Sequence, residues 1–184
     1  MVLEPLDEAH LCGLVDAVRD GELWKLWYTA IPSPDEMRSE IDRRLALQQA
    51  GTMLPFTVRR RGDHAIVGMT TYMNVALEKR RLEIGSTWYR ASAQRTGVNT
   101  DAKMLLLDYA FDDVRALAVE LRTSSFNLQS RNAIERLGAK LDGVLRHDRP
   151  YPNGRIGDTC VYSILAEEWP ALRAGLAAQL RERS

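Results

Sequence analysis

A predicted strand, a polar loop and a predicted helix follow one another in residues 81–107, which read RLEIGSTWYRASAQRTGVNTDAKMLLL. Side chains alternate along a strand. One face of the strand is therefore expected to carry Leu82, Ile84 and Trp88, and the other face Glu83, Gly85, Thr87 and Tyr89. The loop over 91–99 contains one glycine and leads into a helix that begins near Thr100. Backbone N–H groups and the helix dipole at such a junction favour a phosphate or pyrophosphate.

The glycine pattern of this loop excludes two common nucleotide sites. No Gly-Lys-Ser/Thr follows, so the loop is not a P-loop. Gly97 stands alone, so the loop is not a dinucleotide-binding fingerprint. An ordinary loop before a helix has the same composition, and the loop alone leaves its ligand open.

The rest of the chain alternates helical and strand patterns around this segment. Asp7 is a predicted N-cap of a first helix with apolar residues at 11, 14, 15 and 18, and Ser33 to Glu36 forms a capping box for a helix that ends near Gly51. Strands are predicted over 56–60, 65–73, 81–89 and 117–123, with a hairpin over 141–151 and 158–165 that turns at Pro152-Asn153-Gly154. Helices are predicted over 130–137 and 168–181. This order predicts an α/β (α+β) fold with a central mixed sheet flanked by helices.

Length and charge exclude several classes of protein. The 184 residues favour one domain over 1–184. Lys and Arg together number 25, as do Asp and Glu, so the zero net charge argues against a strongly basic nucleic-acid binder. No basic N-terminal region precedes an apolar core, and no apolar run approaches the ~20 residues of a membrane helix. We expect a cytoplasmic protein with neither membrane nor nucleic acid as a partner.

Cysteine and histidine give no metal signal. Cys12 and Cys160 are expected to be buried free thiols. His10, His64 and His147 show no spacing typical of metal ligands, so no metal is expected.

A second segment, residues 127–139, reads NLQSRNAIERLGA. Together with Gln94-Arg95-Thr96-Gly97-Val98-Asn99 it resembles the GNAT superfamily of acyl-CoA-dependent N-acetyltransferases, in particular the RimJ/RimL-like branch. That family's loop reads Gln/Arg-x-x-Gly-x-Gly/Ala, and its second motif reads Asn-x-x-Ser. The resemblance covers nearly the whole chain in order, including residues 82–88 and the final hairpin. Asn99 departs from the pattern, because the family usually has glycine or alanine at this position. Its side chain would either crowd the pyrophosphate or help to begin the helix.

The resemblance implies a GNAT-like fold, with splayed strands that form an acyl-CoA cleft. It implies transfer of the acetyl group of acetyl-CoA to a primary amine, by direct attack in a ternary complex. The acceptor, a protein N-terminus or a small-molecule amine, stays open. A non-catalytic acyl-CoA-binding or regulatory module is the alternative, and a binding protein for an unrelated phosphorylated ligand is a third reading. The long C-terminal hairpin offers a strand edge for a homodimer.

Catalytic roles follow from the same resemblance. Glu83 is the expected general base, acting through a water, or else a strand carboxylate paired with Arg81 or Arg122. Glu120 is the second candidate, or else likewise a solvated or paired carboxylate. Ser130 is the expected acid for the departing thiolate, because Ile134 stands where many relatives have tyrosine; a helix cap would also explain this serine.

Binding roles divide between the two substrates. The expected cofactor-binding residues are Trp88, Tyr89, Gln94, Arg95, Thr96, Gly97, Val98, Asn99, Thr100, Asn127 and Asn132. Asn127 either holds the pantetheine arm or only orders its turn. Trp24, Trp27 and Tyr28 either line an acceptor pocket or pack in the core.

Overall fold

Seven strands and five α-helices form in the computed structural model, which describes residues 1–151 and 153–182. The strands are β1 Val2–Pro5, β2 Met53–Arg59, β3 Ile66–Ala76, β4 Arg81–Tyr89, β5 Ala118–Ser124, β6 Lys140–Pro150 and β7 Ile156–Leu165. The helices are α1 Leu11–Arg19, α2 Met37–Gln49, α3 Val98–Asp108, α4 Leu128–Glu135 and α5 Trp169–Glu182. Pro152, in the expected hairpin turn, lies outside the described residues.

The strands form one mixed sheet in the order β1-β2-β3-β4-β5-β7-β6. β4 and β5 are parallel, and the other neighbouring pairs are antiparallel. One core cluster packs α3, α4 and α5 against the sheet, and another packs α1 and α2 against β3 and β4. The expected mixed sheet flanked by helices is confirmed.

The N-terminal strand β1 was not expected from the sequence. Its four residues pair with the far end of β2, with Val2 opposite Arg59 and Pro5 opposite Phe56. A segment this short shows too little alternation to be recognised, and its stability comes from a distant partner.

A β-bulge in β4 places Trp88 and Tyr89 on the faces of the sheet opposite to those expected, so that expectation is wrong. Thr71 of β3 pairs with Gly85 and Met69 pairs with Trp88, so a step of two residues on β3 matches a step of three on β4. The extra residue at Ser86, with φ of 46°, reverses the alternation that follows. Trp88 therefore packs with the α1 and α2 cluster, opposite to Leu82 and Ile84, whereas Tyr89 packs against α3.

The expected helix boundaries agree with local hydrogen bonding. The Ser33 backbone N–H and hydroxyl donate to the Glu36 carboxylate at 2.9 and 2.8 Å, just before α2 begins at Met37. Gly51 and Gly138, with φ of 72° and 89°, follow α2 and α4 in the left-handed conformation expected of helix ends.

The two thiols are free but lie in different environments. Cys160 is buried in the sheet, whereas Cys12 is exposed, so the expectation of two buried thiols is wrong for Cys12. Cys12 lies on α1 away from the buried residues Leu14 and Val18. No helix within residues 1–151 and 153–182 is long and apolar enough to cross a membrane.

Candidate active site

A cleft opens where β4 and β5 separate. Their parallel pairing ends at Glu83 and Glu120, although β4 continues to Tyr89 and β5 to Ser124. The separation opens a cavity of about 1000 Å³. Its lining runs from the segment 26–31, past Glu83 and Trp88, to the loop at 93–100.

The loop before α3 offers backbone donors at one end of the cavity. Within the described part of the chain, the N–H groups of Arg95, Thr96 and Gly97 have no hydrogen-bond partner. The first turn of α3 adds further N–H groups that lack carbonyl partners in the helix. Such a junction binds anions through its N–H groups and its dipole.

Side chains hold this loop in place. The Gln94 amide donates to the carbonyl oxygen of Tyr89 at 2.9 Å and accepts from Gln129 of α4 at 2.8 Å. The Thr96 hydroxyl donates to the Ala93 carbonyl oxygen at 2.6 Å. These hydrogen bonds fix the loop to the end of β4 and to α4.

Asn127 and Ser130 lie where α4 begins beside the cavity. The Asn127 side-chain oxygen accepts from the Ser130 N–H at 3.0 Å, so Asn127 is the N-cap. The alternative of Ser130 as the cap is therefore wrong. Both residues line the cavity, and within the described residues the Ser130 hydroxyl makes no hydrogen bond.

Glu83 is the buried carboxyl group of the cavity. Its side chain is 7% exposed, accepts from the Asn74 amide at 2.7 Å and lies 3.7 Å from the Arg122 Nε. Burial, helped by the nearby Glu120 carboxylate, raises its pKa above the ordinary value, and Asn74, Arg122 and Arg149 only partly oppose this rise. A Cβ on Gly85 would lie 2.8 Å from a Glu83 carboxylate oxygen, so the glycine leaves room for this carboxyl group. A base whose pKa is raised toward neutral suits proton removal from an amine.

Glu120 has a different environment from Glu83. Arg122 Nε lies 2.5 Å and an Arg81 nitrogen 3.4 Å from its two carboxylate oxygens. Among the described residues, the cavity lining does not include Glu120. These two ion pairs make Glu120 a paired strand carboxylate, which is the alternative to a catalytic role.

The three aromatic residues expected at the acceptor end take three positions. Tyr28 lines the cavity. Trp27 is 40% exposed and lies in ring contact with Tyr28, Phe126 and Tyr151, at centroid distances of 5.6, 5.3 and 5.6 Å. Trp24 packs against the α1 and α2 core cluster.

Most of the expected cofactor residues meet at the cavity. Trp88, Tyr89, Gln94, Arg95, Thr96, Gly97, Asn99, Thr100 and Asn127 line it. Val98, the first residue of α3, is instead buried in the core cluster that contains Tyr89. Asn132 lines a shallow neighbouring hollow of about 330 Å³ with Arg95, Gln129 and Arg136.

Arg44 of α2 holds the bulge beside the cavity, and its sequence position gives no sign of this. Its guanidinium donates to the Thr71 hydroxyl at 2.7 Å, to the Ser86 carbonyl oxygen at 3.3 Å and to Glu40 at 2.7 Å. The side chain is 4% exposed. An arginine on a polar helix normally predicts a solvated residue.

Lys103 is a second residue that the motifs do not identify. It lies on α3, lines the cavity and is 5% exposed. Its only signal in the sequence is a single charge next to the apolar run at 104–107.

Known proteins resemble the chain in sequence and in structure. The sequence model of the family described as "Acetyltransferase (GNAT) domain" matches residues 1–140. YdaF of Bacillus subtilis (strain 168), named as a ribosomal N-acetyltransferase, is 33% identical over 107 residues, which cover 58% of this chain and 57% of YdaF. The match thus spans little more than half of that relative's length.

Two solved structures superpose over nearly the whole chain. A protein from T. thermophilus, described as an acetyltransferase, is 32% identical with a TM-score of 0.84, covering 97% of this chain and 92% of that one. Mycobacterium smegmatis RimJ, solved in complex with CoA-disulfide, is 24% identical with a TM-score of 0.82, covering 98% and 88%. The second likeness concerns the fold alone.

Proposed function

The chain belongs to the GNAT acetyltransferase family and resembles its RimJ/RimL-like branch, and we propose that it transfers the acetyl group of acetyl-CoA to a primary amine. One observation carries the proposal. The cleft between β4 and β5 has a buried carboxyl group, Glu83, on its wall and, at one end, a loop whose N–H groups suit an anion. A base and a donor site in one cavity are what acetyl transfer to an amine needs, and this arrangement supports the proposal.

The donor is proposed to bind along this cleft. The N–H groups of 95–100 would hold the diphosphate, and Asn127 would contact the pantetheine arm from the start of α4. Backbone N–H groups of β4 near Trp88 and Tyr89 would bind the thioester oxygen and stabilise its developing charge. Acetyl-CoA supplies an activated acetyl group and a thiolate leaving group.

Glu83 is proposed as the general base. A primary amine with a pKa near ~10.4 is protonated at neutral pH and must lose a proton before it attacks. Glu83 accepts that proton through a water. Ser130 gives a proton to the departing sulfur, and solvent water restores its hydroxyl. Glu120 is proposed to orient Arg122, which lies between the two carboxylates.

The acceptor is proposed to enter at the end lined by Tyr28, Ile31, Met73 and Arg149. YdaF is named for ribosomal proteins, so peptides with the N-terminal sequences of ribosomal proteins are the first acceptors to test. Small amines form the second panel. A single domain, a cytoplasmic location and the absence of a resident metal remain parts of the proposal.

A homodimer is also proposed. β6 is an edge strand of the sheet and exposes Leu141, Val144 and Leu145. An edge strand offers unpaired backbone N–H and C=O groups to a second chain, although charged residues at 140, 142 and 146 lie beside these apolar side chains. Light scattering during gel filtration tests it, and a monomer at working concentration would remove it.

Calorimetric titration with acetyl-CoA tests the proposed function, with Gly97→Trp as the blocking variant. A Cβ at Gly97 would lie 3.2 Å from a side-chain carbon of Leu180, so an indole there would disturb the packing of the loop that lines the cavity. Gly62→Trp is the matched control, because a Cβ there meets nothing within 4 Å. If wild type and Gly62→Trp bind acetyl-CoA and Gly97→Trp does not, the result supports the proposed donor site. Release of free thiol when an amine is added supports the proposed acetyl transfer.

Two results would count against the proposal. Wild-type protein that does not bind acetyl-CoA would refute it. Binding without thiol release across both acceptor panels would favour the non-catalytic module.

A further inference from the structure

Lys103 is a buried amine that has no acidic partner among residues 1–151 and 153–182. Its Nζ donates to the hydroxyls of Thr87 at 2.8 Å and Thr70 at 3.2 Å. No carboxylate among the described residues forms an ion pair with it. Lysine is almost never this buried unless it is paired. The ion pair that would normally accompany such burial is therefore absent within the described structure.

The two groups that contact this amine are neutral hydroxyls, Thr70 of β3 and Thr87 of β4. The hydroxyl of Tyr89, also on β4, is buried and has no partner within the described structure. On α3, Asp101 is bound by the N-terminal ammonium of Met1. Burial lowers the pKa of Lys103 to about 7, and no charged group contributes to the shift.

Lys103 lies close to the anion-binding end of the cavity. It is one helical turn after Thr100 on α3, and both residues line the cavity. The Lys103 side chain reaches across from α3 to Thr87 of β4, which also lines the cavity. Its amine therefore lies at the wall of the same cavity whose end is formed by the loop before α3.

We propose that Lys103 is the buried counter-charge for the diphosphate of the acyl-CoA donor, and that it takes up a proton when the donor binds. The inference rests on the proposed function, because it needs the donor at this loop. The free protein carries a partly neutral amine at neutral pH. The bound diphosphate favours the ammonium form, and the added proton comes from the buffer. Donor affinity should then fall as pH rises above neutrality.

Proton uptake on binding tests the proposal directly. Acetyl-CoA is titrated into wild-type protein at pH 8 in buffers with different ionisation enthalpies, which gives the number of protons bound. We expect uptake of more than half a proton by the wild type and none by Lys103→Met, with affinity at least tenfold weaker in the variant. Lys140→Met, an exposed lysine paired with Glu168, is the matched control and should behave as wild type.

Two further measurements separate the outcomes. Acetyl-pantetheine, which lacks the diphosphate, should bind without proton uptake. If Lys103→Met fails to fold, the wild-type affinity for acetyl-CoA between pH 6.5 and 8.5 replaces it and should fall steadily. Equal uptake in wild type and Lys103→Met, or a flat affinity profile, would overturn the role of Lys103. No binding of acetyl-CoA at all would instead overturn the proposed function.

Discussion

Arg44→Met should destabilise the protein far more than its neighbour Arg43→Met. Both arginines pair with Glu40, at 2.7 Å in each case, but the Arg44 side chain is 4% exposed and Arg43 is 51% exposed. Arg44 also donates to Thr71 and to the Ser86 carbonyl oxygen in the bulge. Each substitution therefore removes one positively charged partner of Glu40, and the two partners differ in how deeply they are buried.

The difference in burial sets the magnitude. Removing one partner of a buried pair costs about 3–5 kcal/mol, because the other charge remains buried. Glu40 keeps Arg43 as a partner, which places Arg44→Met at the lower end, about 3 kcal/mol. An exposed pair contributes about 0.2–1 kcal/mol, so Arg43→Met should cost less than 1 kcal/mol.

Urea unfolding measures both variants, with unchanged slope as evidence of an unchanged transition. Arg44→Met should also weaken acetyl-CoA binding, since the bulge it holds leads into Trp88 and Tyr89. Arg43→Met should bind as wild type. Unfolding free energies for the two variants within about 1 kcal/mol of each other would refute the reasoning, which rests on burial.

Three other variants test the cleft. Glu83→Gln should lower kcat by ~10²-fold or more and remove the loss of rate at acidic pH. In the wild type this loss should occur above the pKa of an ordinary carboxyl group, because burial raises the pKa of Glu83. An unchanged loss of rate at acidic pH in the variant would contradict its role as base. Ser130→Ala should lower kcat by a similar factor while acetyl-CoA affinity, measured by calorimetry, stays the same; unchanged kcat would remove it as the acid. Gly68→Ala should lower the free energy of unfolding in urea by about 2–3 kcal/mol, because a Cβ there would lie 2.0 Å from the Trp88 carbonyl oxygen. Gly62→Ala is the control, since a Cβ there meets no described atom within 4 Å. Equal stability of the two variants would contradict this reading of the packing.

Local patterns predicted most of the fold. Alternation gave β4 its bounds, and the capping residues gave α2 its start, because both depend on neighbours in sequence. β1 was not predicted, because Val2 lies in a strand only through its pairing with Arg59. The bulge was not predicted either. Ser86 fits an alternating strand as well as its neighbours do, and the extra residue is recognised only from the pairing with β3.

The candidate site was predictable where motifs carry it and not where packing does. The loop at 94–99 and Asn127 are local signatures that end at the same cavity. Arg44 and Lys103 gave no such signal, because burial of a charged side chain is decided by elements distant in sequence. The environment of Glu120 likewise depends on the register that places it opposite Glu83 on a neighbouring strand.

The bulge at Ser86 also constrains how this protein can diverge. One strand offers Glu83 to one face of the sheet and Thr87 to the other, and the single extra residue between them sets that division. Deletion of one residue here would exchange the faces of Thr87, Trp88 and Tyr89 at once. A change in the length of this strand would therefore move three residues at once, whereas a point substitution changes only one of them.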